Sequence, residues 1–253
     1  VSTFSTLMVP SFDGQELAVH STGEGRPVLM LHGLFSSADM NWVRYGHAAQ
    51  LVEAGFECIM PDLRAHGASA KPHDAADYPE DVLARDTIAI AEALQLEDFD
   101  LVGFSLGART AVRAVMLGLE PGKLVLSGMG LQGLAGWAGR SDFFIDAIDR
   151  FDSIERGDPA YFATQFMKTM KIDRVAARHL LQAVSDTSPE GLAKIAMPTA
   201  VICGDEDRDN GSPTDLVEAL PHAVHVEIPG THMSCVTKRE LGAAIAVFLK
   251  ADT

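Results

Sequence analysis

The pentapeptide Gly103-Phe104-Ser105-Leu106-Gly107 constrains this chain more than any other stretch. The apolar run Asp100-Leu101-Val102 before it reads as a buried strand, and residues 108–115 after it read as a helix. A serine between two glycines at such a junction implies a turn so tight that side chains at Gly103 and Gly107 would meet neighbouring backbone. The serine is driven into a strained, exposed position above the sheet edge, with a helix N-terminus behind it. That is the local geometry of a nucleophile.

The rest of the chain supplies the sheet that such a turn needs. With 253 residues, 47% of them hydrophobic, one large α/β domain can bury a full core. Residues 7–9 and 16–20 flank Asp13-Gly14, a hairpin signal that predicts two antiparallel strands. Residues 27–32 form a nearly continuous apolar run, as in a strand buried on both faces. A helix is expected over 41–54, closed by Gly55, then a strand over 56–60 and a helix over 80–96. After the turn and its helix comes a strand at 123–127. This alternation predicts a mostly parallel central sheet with helices on both faces.

The alternation then breaks. From Gly128 to about Ile195 no strong strand is visible, and helices are expected over 143–151, 159–170 and 174–184. Residues 131–190 read as a small helical cap inserted after the sixth strand, with 1–130 and 191–253 forming the core. The strand pattern resumes at 198–204. A helix over 213–220, a strand over 224–228 and an amphipathic helix over 238–250 follow.

Charge and cysteine content narrow the partners. A net charge of -15 without a Lys/Arg cluster argues against nucleic acid and is what a soluble acidic surface looks like. Cys58, Cys203 and Cys235 are odd in number and lack C-x-x-C spacing, which points to a reducing, cytoplasmic setting. Cys235, three residues beyond His232, is the one thiol whose place along the chain brings it near the chemistry. The start, Val1-Ser2-Thr3-Phe4, shows no basic segment followed by an apolar core, and no apolar run is long enough to span a bilayer. No metal site is expected: His222 and His225 lie three apart on a strand-like run with no further ligand set.

A serine hydroxyl needs a base to take its proton and a carboxylate to orient that base. In a parallel sheet both should lie just past the C-terminal ends of strands, where loops converge. His232 follows the strand at 224–228, and Asp207 follows the strand at 198–204, within the crowded loop Asp205-Glu206-Asp207. Asp205 is the alternative acid. A developing oxyanion needs two backbone N–H donors. Leu106, after the serine, and Leu34, in the loop His32-Gly33-Leu34-Phe35-Ser36, are the candidates. Phe35, Met129 and Trp137 are candidate pocket residues. Phe143, Phe144, Phe166 and Met167 read either as further lining or as the cap's own small core.

With these elements the chain resembles the α/β-hydrolase fold superfamily, and within it the compact bacterial serine esterases and cofactor-free haloperoxidase-like enzymes. The resemblance rests on His32-Gly33, Asp62-Leu63-Arg64-Ala65-His66-Gly67-Ala68-Ser69, the Ser105 pentapeptide, Gly204-Asp205-Glu206-Asp207 and Gly230-Thr231-His232, and covers essentially the whole chain. Ala65 stands where this family usually has glycine. The resemblance implies a Ser105–His232–Asp207 triad, no cofactor, and a small-molecule substrate such as a carboxylic ester. C–C bond or lactone hydrolysis by the same triad, or a ligand receptor with vestigial turnover, stay open. It also makes His32 and His66 structural. Asp62 and Arg64 read either as ties for their turn or as a substrate clamp.

Overall fold

The computed structural model describes residues 4–251, so the reading of Val1 to Thr3 falls outside it. The chain opens with β1 (Ser5–Pro10) and β2 (Glu16–Thr22), an antiparallel hairpin turned at Asp13-Gly14, with Gly14 at φ +83°. There follow β3 (Arg26–Leu31), α1 (His47–Glu53), β4 (Phe56–Pro61), α2 (Val82–Ala93), β5 (Asp100–Phe104), α3 (Leu106–Met116) and β6 (Leu124–Ser127). Between β6 and the next strand lie α4 (Leu131–Ala135), α5 (Trp137–Asp149), α6 (Tyr161–Thr169), α7 (Arg174–Ala183) and α8 (Pro189–Leu192). The chain closes with β7 (Thr199–Gly204), α9 (Pro213–Ala219), β8 (Ala223–Ile228), α10 (His232–Cys235) and α11 (Arg239–Lys250).

The eight strands form one sheet in the order β1-β2-β4-β3-β5-β6-β7-β8. From β4 to β8 every neighbouring pair is parallel, and β2 joins β4 antiparallel. The expected α/β class with a mostly parallel sheet is what the chain adopts. Strand alternation divides the core. Val28 and Met30 of β3 face α1 and α11, in a cluster with Leu51, Val102, Leu241 and Ile245. Leu29 and Leu31 face α2 and α3 on the other side, with Leu101, Val112 and Leu126. Each such fully buried side chain contributes about 1.5–3 kcal/mol of transfer free energy, which is why the central strands read as unbroken apolar runs. The helices between β6 and β7 bury Leu134, Ala147, Leu180 and Leu181 in the same continuous cluster as α2 and α3.

Two expected helices are shorter. Residues 41–54 do not form one helix: a π-helical turn spans Asp39–Val43, Gly46 takes φ +82°, and α1 starts only at His47. The break leaves Asn41 buried, with its amide oxygen accepting from Gly33 N–H at 3.0 Å. The segment is thus tied to the loop after β3 rather than continued as a helix. The helix expected over 80–96 begins at Val82, because Asp81 sits at φ +58° with its carboxylate on Arg113. Among the described residues, α4, α8 and α10 appear where no helix was expected; each is four or five residues long, too short for a 3.6-residue pattern to register. Among the described residues no helix is long and apolar enough to cross a membrane.

Candidate active site

The strand-to-helix turn after β5 has the geometry its glycines imply. Ser105 lies at φ +53°, ψ −113°, a region costly for a residue with a Cβ. A Cβ on Gly107 would stand 2.0 Å from Leu31 O, and one on Gly103 2.4 Å from Ala108 N. Ser105 N–H donates to Ser127 O of β6 at 2.9 Å, anchoring the turn to the next strand. The hydroxyl is thereby held at the C-terminal edge of the sheet, where the loops after β3, β6, β7 and β8 also end.

His232 is the first residue of α10. Thr231 caps that helix in a reciprocal pair with Ser234, a Thr-x-x-Ser spacing readable in the sequence. The imidazole Nε2 accepts from the Ser105 hydroxyl at 3.0 Å, and Nδ1–H donates to Asp207 Oδ2 at 2.9 Å. The ring lies against Phe104, with centroids 5.2 Å apart. Asp207 and His232 are both buried. Burial raises the Asp207 carboxyl, but the hydrogen bond and charge of His232 and the N–H of Asp209 outweigh it, so the group lies below its ordinary value. Asp205 is exposed and accepts instead from Gly230 N–H at 2.7 Å, joining the loops after β7 and β8. The structure therefore brings Ser105, His232 and Asp207 into one hydrogen-bonded line and gives Asp205 a different task.

A cavity of about 360 Å³ opens beside Ser105. Leu34 and Leu106 both line it, and among the described residues neither backbone N–H donates to another protein group. Phe35, Met129 and Trp137 line it as well. So do Phe143, Phe144 and Phe166, whereas Met167 is packed inside the apolar cluster. Cys235 does not line the cavity. Burial pushes its thiol, and those of Cys58 and Cys203, up to about 12, so all three stay protonated hydrophobes at neutral pH.

The Asp62–Ser69 segment lies behind this site. Asp62 accepts from Ala38 N–H and Ala68 N–H, each at 2.8 Å, and faces His20. Arg64 is fully buried and grips Asp86 and Asp13 with paired bonds. Neither Asp62 nor Arg64 lines the cavity, so the pair ties its turn to neighbouring segments. Ala65 lies at φ +69°, which explains why glycine is common at this position. His32 Nε2 accepts from Leu63 N–H at 3.0 Å, and His66 Nε2 accepts from Phe35 N–H at 2.9 Å. The second bond holds Phe35, itself at φ +59°, and so sets the loop that presents Leu34. Composition and spacing do not disclose this support, because His66 and Phe35 are 31 residues apart.

Both histidines must be neutral to accept these bonds. Burial pushes His32 below its ordinary value and His66 down to about 3. Below pH 6.5 the unfolded chain then binds protons that the native protein refuses, so folding stability is full above pH 6.5 and falls with pH toward 3. The slope approaches roughly 1.4 kcal/mol per pH unit for each histidine that stays neutral. Urea midpoints should fall between pH 7 and pH 5, before most carboxylates titrate. A flat midpoint over that interval would mean that the buried imidazoles take up protons in the native state.

A family described as alpha/beta hydrolase fold matches residues 26–131, which include the β3 loop and the Ser105 turn. The chain is 28% identical over 231 residues to an AB hydrolase superfamily protein, YisY, of Bacillus subtilis (strain 168), covering 82% of this chain and 83% of that relative. It is 28% identical to a non-heme haloperoxidase of Rhodococcus erythropolis, over 79% of this chain and 81% of that one. Its fold superposes on an esterase from Exiguobacterium antarcticum with a TM-score of 0.79 at 21% identity, covering 99% of this chain and 100% of the esterase. The sheet order, the Ser105 turn and these likenesses together mean that the chain has the α/β-hydrolase fold.

Proposed function

We propose that the protein is a serine hydrolase acting on a small carboxylic ester through an acyl-enzyme. The observation that carries this reading is the line Ser105–His232–Asp207, with bonds of 3.0 and 2.9 Å and the serine in a strained turn beside a cavity. In the first step Ser105 Oγ attacks the ester carbonyl carbon as its proton passes to His232 Nε2. The N–H groups of Leu34 and Leu106 stabilise the oxyanion. The carbon–oxygen bond to the alcohol then breaks, and His232 returns the proton to the leaving oxygen. Asp207 keeps Nδ1 protonated and stabilises the imidazolium. A water, deprotonated by His232, repeats the attack and releases the acid. No cofactor enters this scheme, and residues 131–190 serve as the cap over the cavity.

Stopped-flow kinetics on p-nitrophenyl esters from acetate to octanoate tests the reading. A nitrophenolate burst stoichiometric with enzyme is expected, with an optimum at short acyl chains, because about 360 Å³ lies at the small end of ligand cavities. Absence of both burst and turnover across the series would reject the ester reading and leave lactone or C–C bond cleavage by the same residues.

A further inference from the structure

The lining of the Ser105 cavity is mostly apolar, with Asn41, Arg109, Arg140 and the exposed Asp209 among its polar residues. Among the described residues, three lining side chains keep a buried polar atom without a partner: Asn41 Nδ2, Arg109 Nε and Arg140 Nε. All three are N–H donors. The Asn41 amide cannot reverse its orientation without loss, because its oxygen already accepts from Gly33 N–H. A buried donor left unpaired costs about 1–3 kcal/mol, and two of the three belong to guanidiniums that line the cavity.

The two arginines differ in what neutralises them. Arg109 is 1% exposed and donates to Gly133 O, Leu134 O and the Asp186 carboxylate, the last at 2.8 Å. Arg140 has no carboxylate within 4.0 Å among the described residues. It donates to the backbone carbonyl of Asp209 and lies beside the Phe144 ring. Asp209 and Asp207 act on it through space, yet burial prevails and moves the guanidinium below its ordinary value. Arg140 also stands in the first turn of α5, where the helix dipole disfavours a cation. Desolvation, the lack of a carboxylate in contact and this dipole each work against a positive charge here. An arriving anion would relieve all three.

We propose that the substrate of this site carries an ionised carboxylate besides its scissile carbonyl, and that Arg140 holds that carboxylate. The proposal rests on the ester-hydrolase reading for the scissile bond, but the anion site stands on the cavity alone. A planar guanidinium suits a carboxylate by paired N–H bonds, and an apolar cavity strengthens them. Phe143 and Phe162, both exposed and both lining the cavity, supply an apolar rim for the body of such a molecule. The net charge of -15 repels anions only over distances that salt screens within about 10 Å, whereas Arg140 acts inside the cavity.

The test compares the p-nitrophenyl half-ester of glutaric acid with neutral p-nitrophenyl valerate, in the wild type, Arg140→Gln and Arg140→Lys. The wild type should favour the half-ester in kcat/KM. Arg140→Gln should lower the half-ester-to-valerate ratio about tenfold or more, chiefly through KM, and Arg140→Lys should recover part of it. A wild-type ratio below one, or a ratio that Arg140→Gln leaves unchanged, overturns the proposal. Calorimetric titration of glutarate into Ser105→Ala protein, with and without Arg140→Gln, reads the anion site without turnover. Binding weakened tenfold or more by the substitution supports it even if no ester is cleaved, and so separates it from the ester reading; glutarate binding that does not depend on Arg140 overturns it.

Discussion

On the proposed ester-hydrolase reading, Ser105→Ala should remove the nitrophenolate burst and lower kcat on p-nitrophenyl esters by roughly 10⁴–10⁶-fold. The size follows from what is lost. Without the hydroxyl no acyl-enzyme forms, and His232 has no proton to take from the 105 side chain. What would remain is binding in the cavity and the two N–H groups of Leu34 and Leu106, which on that reading orient a carbonyl but supply no nucleophile. The fold should hardly change. Alanine at φ +53° bears the same backbone strain as serine, and the one broken hydrogen bond, to His232, contributes about 1 kcal/mol. A melting temperature within about 2–4 °C of the wild type is expected. Retention of wild-type turnover with an intact burst would remove Ser105 from the mechanism.

Gly107→Ala should have a large effect on stability. Its Cβ would stand 2.0 Å from Leu31 O, 2.5 Å from Leu31 C and 2.8 Å from His32 O. All three are backbone atoms at the end of β3, which is pinned between β4 and β5. No side-chain rotation can relieve the clash, so either α3 withdraws from the sheet or β3 shifts. A loss of about 3 kcal/mol or more is expected, which lowers the melting temperature by roughly 6–12 °C. Turnover should fall as well, because the displaced backbone leads directly into the loop that carries Leu34. Gly139→Ala is the control: nothing lies within 4 Å of its Cβ, and its backbone is helical. Helix propensity there predicts a small gain, at most about 1 kcal/mol. Equal melting temperatures for Gly107→Ala and Gly139→Ala would refute the steric account of the turn.

Local chemistry explains why so much was readable along the chain. The turn at Ser105 is set by residues adjacent in sequence, and its glycines mark where backbone approaches backbone. The central strands β3, β5 and β7 are buried on both faces, so their apolar runs are continuous and hard to mistake. Asp207 and His232 were legible as neighbours of Ser105 because a parallel sheet delivers its loops to one edge, so a residue just past a strand end has a predictable place. The reading failed at 41–54, where helix-forming residues surround Gly46 and a tertiary bond from Asn41 to Gly33 decides the local path.

By itself, then, the sequence determined the layered α/β class, the turn at Ser105 and the order of Ser105, Asp207 and His232 along the chain. These depend on short-range sterics and on the alternation of buried and exposed positions, both of which are written locally. Only the tertiary structure placed the Asp207 carboxylate, and not that of Asp205, on His232, since both occupy one loop and the side-chain direction there depends on how that loop meets Gly230. It alone brought His66 under Phe35 and left Arg140 at the cavity with no carboxylate within 4.0 Å among the described residues. Burial and pairing are sums over neighbours distant in sequence, and no window along the chain contains them.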